Sequence, residues 1–232
     1  MRMPSLSSSA TTLVKQYGVY HATRLSADKA LQSMAASWAQ AQNRLSDRVQ
    51  ALEAAQAAAM TALAVRDGEG AALSAEVRAF FGALVTKTHN DRRSPLFSVY
   101  FPDGLCAVVD GSTESTANQT LVLLGKLAQE TDAELKAYLD TLDAHLKSFQ
   151  TALQGYRNAQ EAQLQTAGRV EQEKIAWLDA YKLDHRTLAQ MYYNDPKRAE
   201  SYFKTSRRKT APVLSQGGAA APKPVPVSTA TA

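Results

Sequence analysis

The sequence predicts an all-α protein: an elongated antiparallel helical bundle with long, coiled-coil-like helices and one small β-hairpin or loop insert. Three observations carry this expectation. Residues 5–94 and 103–195 contain none of the eight prolines of the 232-residue chain, and proline breaks helix interiors. In both blocks apolar residues recur at steps of three and four, the period of one helix face. The apolar fraction of 45% is rich in alanine and only 7% of residues are aromatic, which favours helices laid closely on helices over a thick mixed core.

Residues 1–25, MRMPSLSSSATTLVKQYGVYHATRL, read as a loosely ordered leader. They lack the apolar run of a secretory signal. Their serines and missing acids are also features of transit peptides, but a leader is the simpler expectation. The helical bundle domain is expected over 26–205. Ser26 can cap its first helix, with Asp28 in the first turn. Leu31, Met34, Trp38, Ala41 and Leu45, then Val49, Leu52, Ala59 and Leu63 form a seam with one extra step of four between Leu45 and Val49. Asp67-Gly68-Glu69-Gly70 predicts the end of this helix, giving a rod of about 63 Å over 26–67. A shorter helix follows from Ser74, with Val77, Phe80, Phe81, Leu84 and Val85 on one face.

The insert spans 94–112, SPLFSVYFPDGLCAVVDGS. Its β-branched and aromatic runs flank Pro-Asp-Gly, which is turn chemistry, so a small hairpin or looped cap joining two helical blocks is expected. Beyond it, Ser115 or Thr116 can start a third helix carrying Leu121, Leu124 and Leu127. Thr131-Asp-Ala-Glu134 matches a capping box. Leu135, Leu139, Leu142, Leu146, Phe149, Leu153 and Tyr156 continue a seam that fades through residues 160–168 and resumes at Val170. Either one helix runs over 131–193 or the chain reverses near Gly168. Asp195 before Pro196 predicts a capped short helix through Phe203. Residues 206–232, with four prolines and a Gly-Gly pair, are expected to be a disordered basic and Pro/Ala-rich tail.

No motif of a known reaction is present. The histidines at 21, 89, 145 and 185 form no HExxH or ExxH pattern, and one cysteine, Cys106, excludes an intramolecular disulfide or a cysteine-cluster metal site. Cys106 sits among apolar residues, where a buried inert thiol is expected. No catalytic, cofactor-binding or metal-binding residue and no cofactor is expected, and the reading is that the protein is not an enzyme. The single cysteine fits a reducing compartment, so a cytoplasmic location is expected, without a transmembrane segment.

The formal charge of +4 is uneven. Residues 1–27 carry +3 with no acid, and residues 197–209 carry +5. The intervening body is mildly acidic. The leading functional expectation is a structural or adaptor protein that assembles through its helical seams with itself or a protein partner. Tyr100, Phe101, Pro102, Asp103 and Gly104 are its candidate partner anchor, because exposed aromatics dominate interface energetics. The alternative is a weak nucleic-acid or anionic-surface binder using Lys204, Arg207, Arg208 and Lys209.

Overall fold

The computed structural model describes residues 3–204, of which Pro4–Lys204 form one folded unit. The expected tail over 206–232 and the cations Arg207, Arg208 and Lys209 lie outside the described residues. In chain order the helices are α1 (residues 10–26), α2 (Gln32–Lys87), α3 (Pro95–Tyr100), α4 (Leu105–Val109), α5 (Thr113–Leu127), α6 (Ala133–Lys136), α7 (Tyr138–Met191) and α8 (Pro196–Ser201). The described residues contain no strand. The protein is an all-α elongated bundle.

Helices α2 and α7 have 56 and 54 residues, about 84 and 81 Å at 1.5 Å per residue. They run antiparallel in one register. Trp38 meets Trp177, Arg44 pairs with Glu173, the Arg66 guanidinium lies over the Tyr156 ring, Phe149 abuts Gly70, and Tyr138 packs on Phe80. Numbers rise along α2 as they fall along α7, with no slip between the two ends.

The reading of Asp67-Gly68-Glu69-Gly70 as a helix end is corrected: α2 passes straight through it. A Cβ on Gly70 would lie 2.1 Å from the Thr113 Cγ2 and 3.5 Å from the Phe149 ring. That glycine serves close approach by the start of α5, and neither glycine adopts the positive φ of a C-terminal turn. At Gly168 the choice falls on one continuous helix. The start of α2 is also shifted. Ser26 ends α1, and Asp28 is the cap, accepting from the Ala30 N–H at 3.0 Å before a 3₁₀ turn over Lys29–Leu31. Asp195 caps α8 with Pro196 in the first turn, as the sequence predicts.

The expected leader is instead helical from Ala10. A π-helical stretch, Leu13–Gly18, interrupts α1, so the buried positions fall at Leu13, Gly18, His21 and Leu25. The five-residue step from Leu13 to Gly18 hides this face from a search at steps of three and four. The π turn shifts the helical ladder, leaving carbonyls of α1 able to accept from side chains of α2. Trp38 Nε1 donates to Gly18 O at 3.2 Å, and Gln42 Nε2 donates to Val14 O at 2.9 Å. Gln42 Oε1 in turn accepts from Trp177 Nε1 at 2.9 Å. A Cβ on Gly18 would sit 2.0 Å from that Gln42 oxygen, which explains the glycine.

The insert is helical as well, and the hairpin expectation is corrected. Pro95 starts α3, which places Phe97, Tyr100 and the following Phe101 on one face against Phe80 and Phe81. Burial of that aromatic face outweighs β-propensity, which is a weak, context-dependent preference. Pro102-Asp103-Gly104 does form the turn, with Gly104 at φ 83°, but it joins two short helices.

Candidate functional site

Helices α2 and α7 are covered by a third layer only at their two ends. At one end, α3–α6 close a core that includes Leu73, Val77, Phe80, Leu84, Phe101, Leu127, Leu142 and Phe149. At the other end, α1 and α8 close an aromatic core containing Trp38, Trp177, Tyr181 and Phe203.

His21 lies at the centre of the aromatic end, fully buried. Its ring stacks on Phe203 at 4.6 Å and meets Trp38 and Tyr181 edge-on. Nδ1 is 3.0 Å from the Tyr202 carbonyl and Nε2 is 3.0 Å from Asp184 Oδ2. A carbonyl can only accept, so Nδ1 donates to Tyr202, and Nε2 lies against the Asp184 carboxyl. No nucleophile or open cleft accompanies this pair. Its effect is to tie α1, α7 and the chain after α8 into one block. Asp28 ties the same elements a second time. Its Oδ2 accepts from the Tyr202 hydroxyl at 2.7 Å, the Tyr192 hydroxyl at 3.2 Å and Arg198 at 3.2 Å. These bonds, that from Tyr202 first, hold the Asp28 carboxyl down at about 2.

Between the ends, α2 and α7 form a bare two-helix stem. Over residues 46–69 only Ala59 is buried, and over 150–169 no residue is. From Ala54 to Val65 there is no charged side chain, and opposite it, over 154–165, the charges are Arg157, paired with Glu114, and Glu161. Gln56, Ala59, Met60 and Leu63 line a shallow groove of about 300 Å³ with Tyr156, Gln160 and Gln163. These positions step by three and four on both helices, so they share one face. Met60 is 67% exposed at its centre.

No family model, curated protein or solved structure matches the chain.

The candidate anchor of the insert is taken apart by the fold. Tyr100 and Phe101 are 4% and 2% exposed and belong to the core. The Tyr100 hydroxyl donates to Glu130 Oε2 at 2.5 Å. Burial, and then that bond, push the Tyr100 hydroxyl well above its usual range, while the same bond draws Glu130 down. Pro102 and Asp103 are exposed and Gly104 half-buried. The cleft beside them holds about 70 Å³, room for a water or two and too little for an anchoring side chain. Cys106 is exposed, correcting the buried reading. A hydrogen bond to Asp110 pushes its thiol up, away from the reactive thiolate.

Lys204 closes the aromatic end, donating to Gln16 Oε1 at 3.1 Å and lying over the Tyr17 ring. Among the described residues no three His, Cys, Asp or Glu side chains converge as a metal site, and no helix is long and apolar enough to cross a membrane. His21 and Asp184 left no signal in the sequence, because 163 residues separate them. The uncharged stretch 54–65 was readable and is the feature that marks the stem.

Proposed function

We propose that the protein is a non-enzymatic structural element that assembles with a second copy of itself through the stem, its two stems packing as an antiparallel four-helix segment. The observation that carries this reading is the bare, charge-free middle of α2. A solvated helix face ordinarily interleaves acids and bases, and an exposed helix turn after turn without them lacks what keeps it in water. Alanine at most of these positions lets a second helix approach closely.

The size fits. The uncovered stretch, residues 46–69, is about 36 Å long and two helices, roughly 20 Å, wide; its central part, about 18 Å, is the charge-free run, with Asp47, Arg48, Glu53, Arg66, Asp67 and Glu69 as a polar rim on either side. Covering it would bury on the order of 700 Å² on each copy, about 1,400 Å² in all, within the range of stable interfaces. The stretch lies at the middle of α2, so a two-fold axis near Met60 superposes the uncharged segments of both copies, and the contact is self-complementary. Light scattering tests this. The full chain is expected at about twice its 25.1 kDa mass at micromolar concentration. Met60→Glu, which sets two carboxylates against each other across the axis, is expected to weaken the dimer by about tenfold or more. Because Met60 is exposed in the single chain, helix content should not change. A monomeric wild-type chain contradicts the proposal, and a dimer indifferent to Met60→Glu contradicts the face.

A further inference from the structure

Residues 15–24 of the first basic segment and residues 201–204 of the second meet at one end of the fold. The Tyr20 hydroxyl and the Arg24 Nε donate to the Ser201 carbonyl at 3.2 and 3.1 Å, Arg24 Nη2 donates to Ser201 Oγ at 3.1 Å, and Lys204 reaches Gln16. The acid-free start of the chain and the described part of the basic segment, residues 197–204, thus form one surface. On it lies a groove of about 370 Å³ lined by Lys15, Gln16, Val19, Tyr20, Thr23, Arg24 and Lys204. Three of these are cations and none is acidic. Of the nearby acids, Asp184 is bonded to His21 and Asp28 to Tyr202, Tyr192 and Arg198, while Glu200 is exposed next to Ser201. Val19, 54% exposed, and Tyr20, 39% exposed, lie on the same helix between Lys15 and Arg24.

We propose that this groove is a docking site for a bilayer surface carrying anionic headgroups. The cations match the headgroup charge. The exposed valine and the exposed part of the Tyr20 ring match the apolar boundary below it, where apolar surface gains. A nucleic acid would use the cations but leave Val19 without a partner, since strands are held by stacking on aromatic faces and by phosphate contacts. The π-helical turn contributes by setting the register of α1, so that Leu13, Gly18, His21 and Leu25 face the core while Lys15, Val19, Tyr20 and Arg24 face out.

Co-sedimentation of the full chain with vesicles reads the site. Vesicles of phosphatidylcholine alone are compared with vesicles holding phosphatidylserine at about one part in three. Binding is expected only to the second and is expected to fall steeply with added salt. Lys15→Gln with Lys204→Gln should weaken binding about 30-fold, each cation being worth about fivefold at an anionic surface. Val19→Ser should weaken it by about fivefold. Lys147→Gln, an exposed position on α7 far from this groove, should change nothing. Helix content by circular dichroism accompanies each variant, and Lys15→Gln alone, at an exposed position, replaces any pair that loses helix. Failure to bind the anionic vesicles overturns the proposal. So does binding indifferent to Lys15 and Lys204, or indifferent to Val19. Tighter binding to a single-stranded oligonucleotide than to the vesicles also overturns it, and assigns the surface to nucleic acid.

Discussion

Asp28 shows how one side chain can hold three segments. Its Oδ1 caps the turn that starts α2, and its Oδ2 gathers Tyr192, Arg198 and Tyr202 from the far end of the chain. The folded carboxyl titrates at about 2, below the roughly 3.9 of an unfolded chain. Between those values the unfolded chain binds the proton first, so protonation favours unfolding. The stabilisation is complete above about pH 4 and is lost as pH falls toward 2. Glu130 and Asp132, drawn down by Tyr100 and Lys87, titrate on the same acid limb. The denaturant midpoint is therefore expected to fall over this window, and Asp28→Asn to make the fall shallower; an unchanged slope would remove Asp28 from the account. Tyr202 works in the opposite sense. Burial, first, pushes its hydroxyl up to about 12, so its contribution persists below about pH 10 and fades as pH rises toward 12.

At the scale of elements, continuity of the long helices is the main finding. Gly168 lies inside α7, and a Cβ there would meet nothing within 4 Å. Gly168→Ala is accordingly expected to raise stability by about 1 kcal/mol, the helix-propensity difference between the two residues. A reversal of the chain at a positive φ would make the same substitution destabilising, so the sign of the change in thermal midpoint decides between them. Most elements were legible because their seams step by three and four. Asp195-Pro196 was legible because capping chemistry is local. Two of the errors share one cause: local signals were overridden by burial that only the fold supplies. Gly68 and Gly70 have the chemistry of a helix end, yet Gly70 is there to admit Thr113 and Phe149. The insert has β-rich composition, yet Phe97, Tyr100 and Phe101 share one helical face. Helix α1 escaped notice because its π turn breaks the period on which the search depends.

Across the whole molecule, two well-closed ends are held apart by a stem that lacks a third layer. The aromatic end is fixed by His21, Asp184, Gln42 and Asp28, contacts between residues far apart in sequence that no local pattern announces. The stem was legible in principle, since a run of twelve uncharged residues from Ala54 to Val65 can be counted by eye; what the sequence lacked was the knowledge that no third helix of the same chain covers it. The central claim is that a second copy does, across an axis near Met60. Oxidative cross-linking at that position tests it most directly, with Met60→Cys placed in a Cys106→Ser background and Leu183→Cys, exposed and away from the stem, as the comparison. A disulfide forms only where the two Cα atoms come within about 7 Å. The account predicts a covalent dimer from Met60→Cys at micromolar protein and none from Leu183→Cys. Equal cross-linking of both, or of neither, would contradict it.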